Sequence, residues 1–259
     1  MDDKKIDYNL DTEGFCFLPS IFSNEQVLSA RDALWDVIQG DYETGKFPEN
    51  RFWEVGDDPT LIIKIDKPHI CSQNVWDLIT KPELGKALAN ITNANMIQVW
   101  HSQVVWKPLS KNESGNAGWH RDAQYWPFWS QNGLFTAWIA LSDVTPRSGP
   151  VQFIPGSHLW GDVKGMDFFD KNIDIQNVLL KAVHPDHKTI DATLLMGEVS
   201  VHSSMTYHSS IANESHDPRV GMVVHFCTDA AVRIPVQGEN AYYLDQCEIS
   251  SICPIIFQR

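Results

Sequence analysis

The sequence predicts a mainly β chain, a double-sheet jelly roll with flanking helices, and three observations support this. From Met96 onward, β-branched and aromatic residues gather in runs of strand length: Met96 to Trp106, Leu134 to Leu141, Val151 to Ile154, Ala192 to Val201 and Val220 to Thr228. Helical periodicity is strong only before that point. The candidate metal ligands His120 and Asp122 lie 88 and 86 residues before a third, His208, a gap that a jelly roll closes by returning a distant strand beside an earlier one.

The elements follow in order. Ser23-Asn-Glu-Gln26 has the form of a capping box, and Val27, Leu28, Leu34, Trp35 and Ile38 keep helical spacing up to Gly40, a C-terminal stop; this helix should pack on the outside of the sheet. Asp41 to Pro59 reads as loop, and Lys81 to Asn90 as a short helix with Pro82 in its first turn. After the first long strand, Lys107 to Gly118 is a loop that ends against the metal strand. Gly161 to Asp191 is an insertion mixing Met166, Phe168, Phe169, Leu179 and Leu180 with charges, a composition that favours a lid. Glu198 to His208 reads as a strand, Asn213 to Pro218 as a turn and Val220 to Phe226 as the returning strand. The expectation is one domain over 1-259, its helical portion roughly 20-95 and its jelly-roll core roughly 96-230.

Composition narrows the function. A chain of 259 residues with 43% hydrophobic content can bury a large core. A formal charge of −13 and a pI near 5.1 argue against nucleic acid or an anionic membrane as partner, since both need basic surface. The five cysteines are scattered without CxxC spacing, which suits reduced thiols, and Met1-Asp-Asp-Lys-Lys-Ile does not read as a signal peptide. No apolar run reaches membrane-spanning length, and Phe257-Gln-Arg259 is no peroxisomal address, so the expected setting is the cytoplasm.

An open iron site for oxygen chemistry needs two imidazoles and one carboxylate on one face of the metal. On a strand, His120 and Asp122 would share a face while Arg121 points away. With 10 His and 33 acidic residues in 259, chance alone supplies about one His-x-acid triplet, and there are two. The other, His184-Pro-Asp186, contains a proline that cannot join a ladder and sits in a polar stretch, so His184 reads as a surface loop residue. A hairpin centred on 213-214 would set Arg219 opposite His208, placing a guanidinium fork, suited to a carboxylate, beside the metal.

These residues resemble the phytanoyl-CoA dioxygenase family of Fe(II)- and 2-oxoglutarate-dependent oxygenases. The resemblance runs from Gly14-Phe-Cys-Phe-Leu-Pro19 through Trp119-His-Arg-Asp122, Thr136-Ala-Trp-Ile-Ala-Leu141, Ser148-Gly-Pro-Val-Gln-Phe-Ile-Pro-Gly-Ser-His158 and Tyr207-His-Ser-Ser210 to Arg219. It implies a double-stranded β-helix (cupin-like) core and His120, Asp122 and His208 as metal ligands. It also implies 2-oxoglutarate contacts at Arg219, Ser210, Trp138, Lys64 and Gln103, with O₂ as second co-substrate. The implied reaction hydroxylates a small molecule and releases succinate and CO₂. A halogenating variant has a small residue in place of the carboxylate; Asp122 argues against it here.

Tyr125, Trp126 and Trp129 follow the ligands and are candidates for a substrate wall, as is His225, which alternates in phase with Arg219. His202 reads as a support for the ligands, and His158 as a turn residue. Two rival functions remain open from sequence: a catalytically silent ligand-binding or sensing jelly roll, and a zinc hydrolase using the same three ligands, in which Arg219 and Ser210 would have no clear task.

Overall fold

The computed structural model describes residues 8–110 and 112–259. A short helix α1 (Leu10–Glu13) leads into β1 (Phe15–Leu18), and α2 (Asn24–Gln39) begins at Ser23, whose side chain accepts from the Gln26 amide while Gln26 caps in return. The capping box is therefore present, and Gly40 ends the helix at φ 90°, a conformation glycine adopts without strain. Then come β2 (Ile63–Asp66), α3 (Gln73–Ile79), which the sequence reading missed, and α4 (Pro82–Thr92) with proline in its first turn. The remainder runs β3 (Met96–Lys107), β4 (Ala117–His120), β5 (Leu134–Ala140), β6 (Gln152–Phe153), α5 (Ile173–Val183), β7 (Ile190–Asp191), β8 (Val199–Ser203), β9 (His208–Ser210), β10 (Arg219–Thr228), α6 (Glu239–Gln246) and β11 (Ile255–Gln258).

Two antiparallel sheets result. The larger has the order β1-β8-β5-β10-β3-β11, with β2 also paired to β3, and the smaller has the order β4-β9-β6-β7. β1, β2 and β11 thus join the sheet from outside the stretch 96-230. Val220, Met222, Val224 and Phe226 of β10 share one apolar core with Val27, Leu34 and Ile38 of α2, Leu78 of α3 and Leu88 of α4. The alternate residues of β10 turn toward the smaller sheet.

A bulge in β3 puts polar residues on that inner face. Along β3, Ile97 and Val99 lie in the helix-side core, and a regular strand would send His101 and Gln103 the same way. The register shifts here, so that His225 pairs with His101 and Phe226 with Val99, leaving Trp100 as the extra residue. Past the bulge Val104 returns to the core, while His101, Gln103 and Lys107 line the cavity between the sheets.

Three sequence expectations need correction. Glu198 to His208 is not one strand: β8 ends at Ser203, a turn follows, and β9 joins the other sheet. Nor is Ala192 to Val201 continuous, since the strand begins at Val199. His208 and Arg219 do not face each other across a hairpin, because β9 pairs with β4 and β6 whereas β10 pairs with β3 and β5. The turn chemistry at Asn213 to Pro218 serves a crossing between sheets. Asn213 organises it, donating to the Lys107 and Asp217 carbonyls and accepting from Ser215.

Candidate active site

His120 and His208 sit directly opposite each other on β4 and β9. Asp122 lies beyond the end of β4, in the first position of a 3₁₀ turn, so the same-strand geometry read from sequence is not how it reaches the site. It arrives nonetheless: the donor atoms of His120, Asp122 and His208 lie within 4.8 Å of one another, and Asp122 Oδ1 is 3.7 Å from each Nε2. Arg121 points away, as expected, and pairs with Asp162 of the insertion.

Backbone carbonyls set the histidine tautomers. His120 Nδ1 lies 2.7 Å from the Gly118 carbonyl and His208 Nδ1 lies 3.0 Å from that of Thr206. A carbonyl only accepts, so each Nδ1 carries the proton and each Nε2 lone pair faces the other ligands. Burial pushes both imidazoles below their ordinary pKa, more strongly at His208, which keeps them neutral as a metal requires. Burial also disfavours the charged Asp122, but His208, His202 and His225 outweigh it and hold the carboxyl well below its usual range.

Asp122 Oδ2 is already engaged. Thr136 Oγ1 donates to it at 2.6 Å and His202 Nε2 lies 3.2 Å away, so Oδ1 alone turns toward the histidines. His202 therefore supports the carboxylate, as the sequence reading held, and is no fourth ligand among the donors that converge.

From these groups a narrow cavity runs between the sheets to Lys107, Trp138, Ser210 and Arg219. Arg219 is 2% exposed; Nη1 donates to the Gly149 carbonyl at 3.0 Å, while Nε has no partner among the described residues. Its guanidinium lies 5.1 Å from the Trp138 ring centroid, and Gly221 makes room, since a Cβ there would fall 2.0 Å from Trp138 Cζ2. Burial draws Arg219 down to about 10, so it stays charged at neutral pH. A buried guanidinium with an unpaired N–H beside a metal-type triad fits a ligand with one chelating end and one free carboxylate.

Lys107, opposite Arg219 on β3, was only a landmark in the sequence reading. Its Nζ donates to Ser210 Oγ at 2.6 Å and to the Ile211 carbonyl at 2.7 Å. With Ser210 Oγ accepting from Nζ, its own proton is free to point at a ligand; burial, with the charge of Arg219 opposite, holds the Lys107 ammonium well below its ordinary pKa. Alternation from Gln103 through Val105 was the signal that would have found Lys107.

Toward solvent a second cavity of about 280 Å³ shares His120, Asp122, Gln103, Phe168 and His225 with the first and adds Lys64, Asp66, Tyr125, Trp126 and Tyr243. Lys64 lies 4.2 Å from the Phe52 ring and 3.7 Å from Asp66, which also accepts from Gln103 at 2.9 Å. Among the proposed substrate residues, Tyr125, Trp126 and His225 line this cavity, but Trp129 does not. Pro127 and the following turn carry Trp129 behind the cavity wall, into a buried cluster with Trp126, Trp100, Phe128 and Cys247 in which Trp126, Trp100 and Phe128 face the cavity. His184 stacks on Trp160 at 3.5 Å, and His158, within a 3₁₀ turn, contacts the Asp11 carbonyl at 3.1 Å and so ties that turn to α1.

The insertion forms one wall. Phe168 packs 5.1 Å from His120, and Tyr125 donates to Asp167 at 2.7 Å while accepting from the Phe168 amide at 2.8 Å. Buried Gln176 accepts from the Trp119 amide at 2.6 Å, so α5 is tied to the strand carrying His120.

The family model described as "Phytanoyl-CoA dioxygenase (PhyH)" matches residues 10–221. The Bos taurus protein "Phytanoyl-CoA dioxygenase, peroxisomal" is 24% identical over 171 residues, which is 65% of this chain and 50% of that protein. The chain thus spans about half the length of this curated relative. Among solved structures, the "non-heme alpha ketoglutarate dependent carbocyclase SnoK from nogalamycin biosynthesis" aligns with a TM-score of 0.69 at 20% identity, covering 93% of this chain and 95% of that one. The epimerase SnoN "in complex with Fe3+, alpha ketoglutarate and nogalamycin RO" gives 0.65 at 21% identity, with coverage of 91% and 86%. At these identities the structural matches establish a shared fold. Among the described residues no helix is long and apolar enough to cross a membrane.

Proposed function

The chain belongs to the phytanoyl-CoA dioxygenase family, and on that premise we propose that it is an Fe(II)- and 2-oxoglutarate-dependent oxygenase that hydroxylates a small molecule, acting as one domain over 1-259. The observation that carries this reading is the pairing of three converging ligands with a buried, incompletely paired Arg219 at the far end of one narrow cavity.

In this reading His120, Asp122 and His208 hold the iron, and Arg219 with Ser210 receives the distal carboxylate of 2-oxoglutarate. Trp138 supplies a flat wall, and the Lys107 amino group orients the Ser210 hydroxyl. The bound iron and 2-oxoglutarate supply an oxidising chemistry in which O₂ is consumed, succinate and CO₂ are released and a substrate C–H becomes C–OH. What the chain contributes is order: neutral imidazoles with fixed tautomers, a carboxylate limited to one free oxygen, and aromatic walls that exclude water. The outer cavity, with Tyr125, Trp126, Phe168 and His225, is where the substrate would sit. Neither a silent binding module nor a zinc hydrolase gives Arg219 comparable work.

Two measurements test the proposal. Adding Fe(II) and 2-oxoglutarate anaerobically should produce a weak visible charge-transfer band, and admitting O₂ should release succinate. Iron-loaded protein that shows neither the band nor succinate would overturn it.

A further inference from the structure

Where the two cavities meet, His225 and Gln103 present two hydrogen-bond acceptors to each other with no proton between them. The assignment follows from the carboxylates at either end of the chain of contacts. Asp66 Oδ1 lies 2.9 Å from the Gln103 amide nitrogen. A carboxylate needs a donor there, so the amide cannot be flipped and Oε1 faces the other way. At the other end Asp122 Oδ2 lies 2.6 Å from Thr136 Oγ1, a distance that requires the threonine proton between them. Thr136 has no second proton, so its 2.8 Å contact with His225 Nδ1 must be an N–H donated by the histidine.

A neutral His225 with its proton on Nδ1 has a bare Nε2. That nitrogen faces Gln103 Oε1 at 3.5 Å. Swapping the tautomer would leave two bare oxygens 2.6 Å apart at Asp122, and flipping the amide would set two bare oxygens 2.9 Å apart at Asp66. Either change moves the mismatch to a shorter distance beside a charge. The His225 ring is packed between Trp126 at 4.8 Å and His101 at 5.6 Å, so it does not turn aside. His225 is 4% exposed, and both residues line the cavity in front of the metal ligands. Buried acceptors that face each other need a donor from outside the protein.

Resting on the oxygenase reading above, we propose that the substrate bears a hydroxyl or amine N–H that donates to His225 Nε2 and Gln103 Oε1, so that this site takes small alcohols or amines in preference to aliphatic acyl thioesters. A saturated acyl chain has no donor to offer at this point and would leave both acceptors desolvated. The donor also fixes orientation: a substrate anchored at the pair presents the carbons next to its hydroxyl or amine to the metal ligands.

The test uses ¹⁵N-histidine-labelled full-length protein loaded with diamagnetic Zn²⁺ and 2-oxoglutarate, so it does not depend on turnover. Before any probe is added, His225 Nε2 should resonate as an unprotonated ring nitrogen; a protonated Nε2 overturns the proposal. Probes are then added in matched pairs: cyclohexylmethanol and benzyl alcohol, each against its methyl ether, with cyclohexylmethylamine and hexanoyl-CoA alongside. The alcohols or the amine should shift the Nε2 resonance and bind about 10-fold or more tightly than the ethers, which keep the oxygen but lack the donor. Gln103→Met should shrink that preference, read as the ratio of alcohol to ether affinity within the variant, so that any change in 2-oxoglutarate binding cancels. Ethers that bind as well as alcohols, tighter binding by hexanoyl-CoA, or no response of Nε2 to any donor would each overturn it. Failure of the oxygenase reading would show separately, as absence of 2-oxoglutarate binding to the metal-loaded protein.

Discussion

The two faces of β10 are equally buried and have opposite tasks. Every residue from Arg219 to Thr228 is shielded from solvent, yet Val220, Met222, Val224 and Phe226 meet the helices while Arg219, Val223 and His225 meet the cavity and Gly221 backs the Trp138 ring. On the helix side burial is stabilising in itself, because each side chain removes apolar surface from water and finds close neighbours. On the cavity side burial is a cost. Among the described residues Arg219 Nε lacks a partner, and His225 Nε2 faces Gln103 Oε1. Residues that destabilise the empty fold in this way are accounted for by what binds there. Substitutions on the two faces should therefore separate stability from function.

The largest effect is expected at the ligands. Asp122→Ala, His120→Ala or His208→Ala should abolish turnover and sharply weaken iron retention while the protein stays folded, since each removes a buried polar group from a cavity rather than an apolar plug from the core. Metal analysis with a thermal melt checks this; any of the three that retains normal iron and activity leaves the triad. Asp122→Gly is the sharper variant, predicted to bind iron and 2-oxoglutarate weakly but not to hydroxylate.

Opposite behaviour is predicted one face away. Phe226 is fully buried and stacks on Phe135 at 5.6 Å, so Phe226→Ala should cost about 3–5 kcal/mol of stability by transfer and cavity terms. Affinity for 2-oxoglutarate, measured below the new melting transition, should change less than about threefold. A large loss of affinity with little loss of stability would show that the faces are not separable.

These two faces were unequally legible in the sequence. Period-2 alternation revealed which residues of β10 share a side, and the box Ser23 to Gln26 with Gly40 bounded α2 correctly, because both signals are local. What local signals could not give was the sheet to which a strand belongs. The turn at Ser204, Met205 and Thr206 contains neither glycine nor proline, so β8 and β9 read as one strand. The crossing after Asn213 has the composition of a hairpin turn, and the inferred His208 and Arg219 pairing followed from it. Both residues still line one cavity, because facing sheets bring together what a hairpin would have paired. The β3 bulge at Trp100 was likewise invisible, being defined only by the partner strand. Trp129 misled for a similar reason: nearness to Asp122 in sequence does not survive the turn that follows it.

The comparison is sharpened by Arg219 itself. Arg219→Ala should weaken 2-oxoglutarate binding by roughly 10- to 150-fold, since a charge-assisted hydrogen bond contributes about 1.5–3 kcal/mol. Iron affinity should barely change. Arg219→Lys should recover only part of the loss, as an ammonium cannot reproduce the planar fork. Titration of 2-oxoglutarate into iron-loaded variants decides the matter, and equal affinities would return Arg219 to a purely structural role.

The smallest effect tests whether cavity-facing polar residues act through one another. His202 Nε2 and Thr136 Oγ1 occupy Asp122 Oδ2, which leaves Oδ1 to face the two histidines. His202 Nδ1 has no partner among the described residues, so His202→Phe removes one hydrogen bond to Asp122 and orphans no other group. The ring volume is nearly kept, so the fold should hold. With one restraint gone, the carboxylate can rotate and offer its second oxygen to the metal, or turn away from it. Removing such a support typically costs 10- to 100-fold in metal affinity, and the same range is expected here from chelator competition with Zn²⁺. Thr136→Val should fall in that range too, but it also strips His225 Nδ1 of its acceptor, so the double variant should lose less than the product of the two singles. If His202→Phe binds metal as tightly as the parent, Asp122 is held by Thr136 alone and His202 is there for packing against Phe153, whose ring lies 5.1 Å away.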